Sequence, residues 1–152
     1  MADNSRPEAS GEQWRERRAR AVAHHGAELE RRREAEAAQA MSLIADFVSA
    51  ARESGPPAAP LRARSYTGRT YRTSLRGWYL DSARTIAISE AGEYYSLLVP
   101  PSARSWLTGA APAPQRPRLI VGEGARDGES MPLATLLQRL LSASTVRVRR
   151  SG

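Results

Sequence analysis

Histidine, cysteine and lysine supply much of the nucleophilic, acid–base and metal-binding chemistry of proteins, and this chain is nearly without them. Its 152 residues include no cysteine and two histidines, and all 23 basic side chains are arginines. Disulfides, zinc–thiolate sites and thiolate or amine nucleophiles are thereby excluded. His24 and His25 are adjacent, so on a helix they point about 100° apart and do not clamp one metal ion. They read as two exposed titratable side chains, and no metal site is expected. Gly128-Glu129-Ser130-Met131-Pro132 begins like a nucleophile elbow but lacks the closing glycine. No histidine follows His25, so Ser130 has no base within reach and reads as a helix N-cap. Gly122-Glu123-Gly124-Ala125-Arg126-Asp127-Gly128 lies between a strand pattern and a helix pattern, the context of a phosphate-binding loop. Asp127 occupies the position of the third glycine in the dinucleotide fingerprint, and Glu123, Asp127 and Glu129 would repel a phosphate. A connecting loop and no cofactor are expected there. Asp81, Glu90, Glu93, Glu123, Asp127 and Glu129 remain as acid–base groups, but all fall in turns or loops and no spacing singles out a catalytic pair.

The pattern with the most chemical content is arginine interleaved with aromatic residues. Residues 1–53 hold nine arginines and ten acids, whereas residues 54–152 hold fourteen arginines and six acids. The formal charge of +7 therefore belongs to the second part of the chain. It is densest where Arg62, Arg64, Arg69, Arg72, Arg76 and Arg84 face the single acid Asp81. All five tyrosines, Tyr66, Tyr71, Tyr79, Tyr94 and Tyr95, lie in the strand region together with Trp78. Strand alternation over Thr70–Leu80 places Arg72, Ser74, Arg76 and Trp78 on one face and Tyr71, Thr73, Leu75 and Tyr79 on the other. A face of guanidinium and indole groups holds phosphates and stacks bases. Asparagine and phenylalanine each occur once beside abundant alanine, the signature of GC-rich codons, so codon usage accounts for part of the arginine excess.

The elements that carry these residues follow from periodicity. Ser10 and Gln13 have capping-box spacing, and Glu16–Arg20 and Glu28–Arg32 are favourable i,i+4 pairs. With few apolar positions and Gly26 in its middle, residues 11–36 read as a solvated helix or two helical pieces. Ala37, Met41, Ile44, Phe47, Val48 and Ala51 form the apolar face of a helix that ends before Ser54-Gly55-Pro56-Pro57. The period then becomes two: strands are predicted at Leu61–Tyr66, Thr70–Leu80, Thr85–Ser89, Tyr94–Val99 and Arg118–Val121. Leu133–Leu141 reads as a closing helix. The predicted fold is α+β: an N-terminal helix, four or five mostly antiparallel strands, and a C-terminal helix packed on the sheet. The predicted organisation is a charged, solvated helical extension over 1–36, one compact domain over 37–145 and a basic flexible tail over 146–152. No apolar run approaches the roughly 20 residues that span a bilayer, and the N-terminus is charged. No membrane segment is therefore expected, and the predicted location is cytoplasmic.

Gly77-Trp78-Tyr79-Leu80, the Ile86–Leu98 hairpin and Gly124-Ala125-Arg126-Asp127-Gly128-Glu129-Ser130 together resemble a group of small uncharacterised actinobacterial proteins. The resemblance covers about residues 40–142 and implies no activity. Trp78-Tyr79-Leu80 also spells the triad of WYL-domain regulators, but no helix-turn-helix pattern precedes it. The function expected from the residues is a non-catalytic protein that contacts RNA or DNA through Arg62, Arg64, Arg69, Arg72, Arg76, Trp78 and Arg84. The alternative is a protein–protein adaptor docking through helix 11–53. A small enzyme using the carboxylates is the third reading.

Overall fold

A computed structural model of the chain describes residues 6–122 and 130–150. Contacts divide the chain into two units, Met1–Ala35 and Glu36–Gly152. Helix α1 (Arg6–Ser54) is continuous through His24, His25 and Gly26, where an interruption was an option, and it begins before Ser10. Its first part is stabilised from within: Glu16 pairs with Arg20 at 3.5 Å and Glu28 with Arg32 at 2.7 Å. Trp14, Val22 and Leu29 are exposed.

From Ala37 the same helix belongs to a core. Ala37, Ala40, Ile44, Phe47, Val48 and Ala51 are buried, whereas Met41 is exposed. Met41 was expected on the inward face; it stands about 100° round the helix from Ala40, whose small side chain takes the inward position in a 37-40-44-47-51 stripe. The Gly55 amide donates to the Ala51 carbonyl at 3.0 Å, and Pro56 and Pro57 then end the helix.

The chain continues through β1 (Ala59–Ser65), β2 (Thr70–Tyr79), β3 (Ile86–Ser89), β4 (Tyr94–Ser96), β5 (Leu98–Val99), α2 (Ala103–Thr108), β6 (Pro114–Gln115), β7 (Ile120–Val121), β8 (Met131–Pro132) and α3 (Leu133–Arg150). The fold is α+β, with six strands ordered β5-β1-β2-β3-β4-β6 and a separate β7–β8 pair. All pairings are antiparallel except β1 with β5. The predicted strand over 94–99 is two strands, because the chain changes partner at Leu97. The Leu97 amide donates to the Thr85 carbonyl and the Leu97 carbonyl accepts from the Arg64 amide, each at 2.7 Å. Strands β1 to β5 thus close into a small ring.

Leu61, Ala87, Tyr95 and Leu97 are buried together, with Leu75 and Tyr79 packed against them. A second core joins the sheet to both flanking helices: Ile44, Phe47, Val48 and Ala51 from α1 and Leu133 and Leu137 from α3 meet Trp78, Leu80, Ile88 and Tyr94. Helix α3 starts at Leu133 and reaches Arg150, through residues 146–150 where a flexible tail was expected. Ser130 is not its N-cap, since Met131 and Pro132 first pair with Ile120 and Val121. Among the described residues, no helix is long and apolar enough to cross a membrane.

Candidate nucleic-acid interface

The β1–β2 hairpin positions the basic residues. Its turn is held by buried Ser65, whose amide donates to the Arg69 carbonyl at 2.8 Å and whose hydroxyl accepts from the Arg69 amide at 3.1 Å. Gly68 closes the turn with φ +90, a left-handed conformation that glycine adopts without a steric penalty. The register then pairs Ala63 with Tyr71, both buried, so the alternate residues Arg62, Arg64, Thr70 and Arg72 are exposed. Arg62 lies directly opposite Arg72, Arg64 opposite Thr70, and Leu98 of β5 lies on the other side of Arg64.

Directly opposed like charges on neighbouring strands destabilise a sheet. Among the described residues, no carboxylate lies within 4.0 Å of the guanidinium of Arg62, Arg64, Arg69 or Arg72. Guanidinium groups opposed in this way, with no carboxylate beside them among the described residues, form a surface on which an anion would relieve repulsion.

The other predicted contacts are placed differently. Arg76 is exposed, but its side chain donates to the Ala58 carbonyl at 3.2 Å and its Nε lies 3.7 Å from Glu90 Oε1. Arg52 donates to the Glu90 carbonyl at 2.8 Å, so Arg76 belongs to a clasp between the end of α1, the connector and the β3–β4 turn. Arg84 lies in the β2–β3 turn with φ 59, its guanidinium carbon 5.5 Å from the centre of the Tyr79 ring. Asp81 shapes that turn by accepting from the Thr85 amide at 2.9 Å, the Ile86 amide at 3.0 Å and the Thr85 hydroxyl.

Trp78 is a correction. It was expected beside Arg72 and Arg76 on an exposed face, yet only 6% of it is accessible. Its indole N–H donates to the Pro56 carbonyl at 2.9 Å, and its ring packs edge-on to Phe47 with centroids 5.1 Å apart. The cause is the cover: helix α1 and the connector lie over this end of β2. Gly77, immediately before Trp78, marks a close approach of β2 to β3, for a Cβ there would stand 1.9 Å from the Ile88 carbonyl oxygen.

An exposed tryptophan is supplied instead by Trp106 on α2, a helix absent from the sequence-based expectation. Ser102 caps it, its hydroxyl accepting from the Ser105 amide at 3.2 Å, while its own amide donates to the Tyr71 hydroxyl at 3.1 Å. At the other end Gly109 has φ +88, and the Ala110 amide donates to the Arg72 carbonyl at 2.7 Å. Both ends of α2 are therefore bonded to β2 at Tyr71 and Arg72. The serine before and the glycine after residues 103–108 are the sequence signal that could have revealed it.

The remaining candidates have structural contacts or lie elsewhere. The Tyr95 hydroxyl donates a hydrogen bond to Glu93 Oε2, and burial together with that carboxylate pushes the hydroxyl up to about 12. Burial also raises Tyr94. Among the described residues no cluster of metal-ligating side chains occurs, and His24 and His25 are exposed. Residues 123–129, with Glu123, Asp127, Glu129 and most of the glycine-bearing loop, lie outside the described residues. No protein-family model, curated protein or solved structure matches the chain, and the site stands on its own geometry.

Proposed function

We propose that the chain is a non-catalytic, cytoplasmic protein that binds nucleic acid through the outer face of the β1–β2 hairpin. Arg62, Arg64 and Arg72 contact phosphates, with Arg69 at the turn. The observation that carries this reading is the Arg62–Arg72 register pair without a compensating carboxylate among the described residues. Two guanidinium groups on adjacent strands, with Cβ atoms about 5 Å apart, suit successive phosphate oxygens of a backbone. Arg76 and Arg84 add to the field without belonging to the ladder.

The test is titration of labelled RNA and DNA over a series of salt concentrations. Binding should weaken steeply with ionic strength, and Arg62→Ala with Arg72→Ala should lower the salt slope by about two. Absence of binding at low salt would overturn the proposal. A second reading, an adaptor that docks through the N-terminal helix, draws support from the exposed Trp14, Val22 and Leu29. Docking through apolar side chains should be nearly insensitive to salt, which separates the two.

A further inference from the structure

We propose that Trp106 is a base-stacking residue and that the arginine ladder takes single-stranded rather than duplex nucleic acid. The inference rests on the reading of the β1–β2 face as a phosphate surface. Trp106 is 62% exposed and its neighbour Leu107 69% exposed. Helix α2 buries none of its residues. A helix of six residues is too short to be stable on propensity alone. What orders it is the bonding of its ends: the Ser102 amide to Tyr71, and the Ala110 amide to Arg72. Gly109 is required for this approach, since a Cβ there would stand 2.9 Å from the Arg72 carbonyl oxygen. The fold thus holds a large aromatic ring in water on a mount bonded to β2 at both ends. That mount is fixed to the residue that faces Arg62.

The spacing suits a nucleic-acid strand. Ala110, whose amide bonds to the Arg72 carbonyl, follows Trp106 by four residues, which span at most about 14 Å, so the Trp106 backbone lies within a few nucleotides' reach of the Arg72 backbone. Arg104, exposed on the same helix, adds a cation between them in sequence. In a duplex the faces of the bases are already stacked on one another and are closed to an indole. In a single strand every base offers a free π-face, and stacking of this kind tolerates any sequence. Charge complementarity selects a polyanion, and the exposed indole selects one with accessible rings.

The experiment uses the full chain and three probes: an oligothymidylate, an abasic strand of the same length, and a duplex of the same length. Wild type should bind the oligothymidylate more tightly than the abasic strand. Trp106→Ala should weaken oligothymidylate binding by roughly 5- to 150-fold while leaving abasic and duplex binding unchanged. Its salt slope should equal that of wild type, because no phosphate contact is lost. Trp106→Phe should restore much of the affinity, and circular dichroism should show both variants folded. Arg72→Ala should lower the salt slope on all three probes. Loss of affinity confined to the arginine variant, or equal losses on all probes with Trp106→Ala, would overturn the stacking role and leave the phosphate surface standing. No binding of any probe by wild type at low salt would overturn both.

Discussion

Strand β2 contains two stretches of the same outward parity with opposite fates. Before Gly77, Arg72, Ser74 and Arg76 are exposed; immediately after it, Trp78 is buried against Phe47 and bonded to Pro56. Alternation decides which side of a sheet a residue takes, but it does not decide whether anything lies over that side. Helix α1 and the connector cover one end of β2 and leave the other end open. The open end keeps charge that repels itself, and the covered end holds an indole buried against Phe47. A binding surface and a packing surface are thus adjacent on one strand, separated by a glycine.

Gly77 is where this contrast should break most severely. Gly77→Ala places a methyl group 1.9 Å from a backbone oxygen, and backbone atoms of a paired strand have little room to retreat. We expect a loss of about 4 kcal/mol or more, read by chemical denaturation. Wild-type stability in this variant would refute the close approach of β2 and β3. Trp78→Ala comes next, at about 3–5 kcal/mol, because it empties a packed site beside Phe47. A surface-like effect there would return Trp78 to the exposed face.

Titration extends the contrast to the inner side of the ring. Burial and the Glu93 carboxylate push the Tyr95 hydroxyl up to about 12 in the folded chain, above the ordinary value of 10.0. Below pH 10 both folded and unfolded states keep the proton, and stability does not depend on it. Between pH 10 and 12 the unfolded state ionises first, so stability should fall with rising pH, by on the order of 2 kcal/mol. Melting curves across that window should show the decline for wild type and a shallower one for Tyr95→Phe; identical slopes would remove Tyr95 as the cause. The smallest effect belongs to the open end. Arg72→Ala should raise stability by a few tenths of a kcal/mol, since it relieves the repulsion with Arg62, and the gain should shrink in high salt. A clear loss on removing Arg72 would mean that its guanidinium has a partner holding the fold together.

Local pattern carried much of this architecture. The apolar stripe beginning at Ala37, the period-two strands and the leucines from Leu133 specify an α+β fold before any contact is known. The exposed arginines at 62, 64 and 72 follow from the same alternation. What alternation does not contain is the choice of long-range partner. The change of pairing at Leu97, the connector lying on Trp78 and the bonding of α2 to β2 all depend on residues distant in sequence. Helix α2 in particular has no amphipathic face to reveal it, because it is held by its ends. Ala40 rather than Met41 faces inward, a choice between neighbouring apolar residues that the helical period alone leaves open.

The ring of strands closes where the chain changes partner at Leu97, which bonds to Thr85 on one side and Arg64 on the other before Leu98 and Val99 pair with β1. The β1–β2 and β3–β4 hairpins join residues close in sequence, but the Arg64–Leu97 bond closes a long loop. Its entropy must be met before the contact returns anything, which puts this closure after the two hairpins in the order of folding. Until it forms, the edge of β1 near Arg64 presents unpaired amides and carbonyls, the kind of edge that accepts a strand from another chain. The pairing of Leu97, Leu98 and Val99 with β1 therefore covers an edge that would otherwise be open to a strand from another chain.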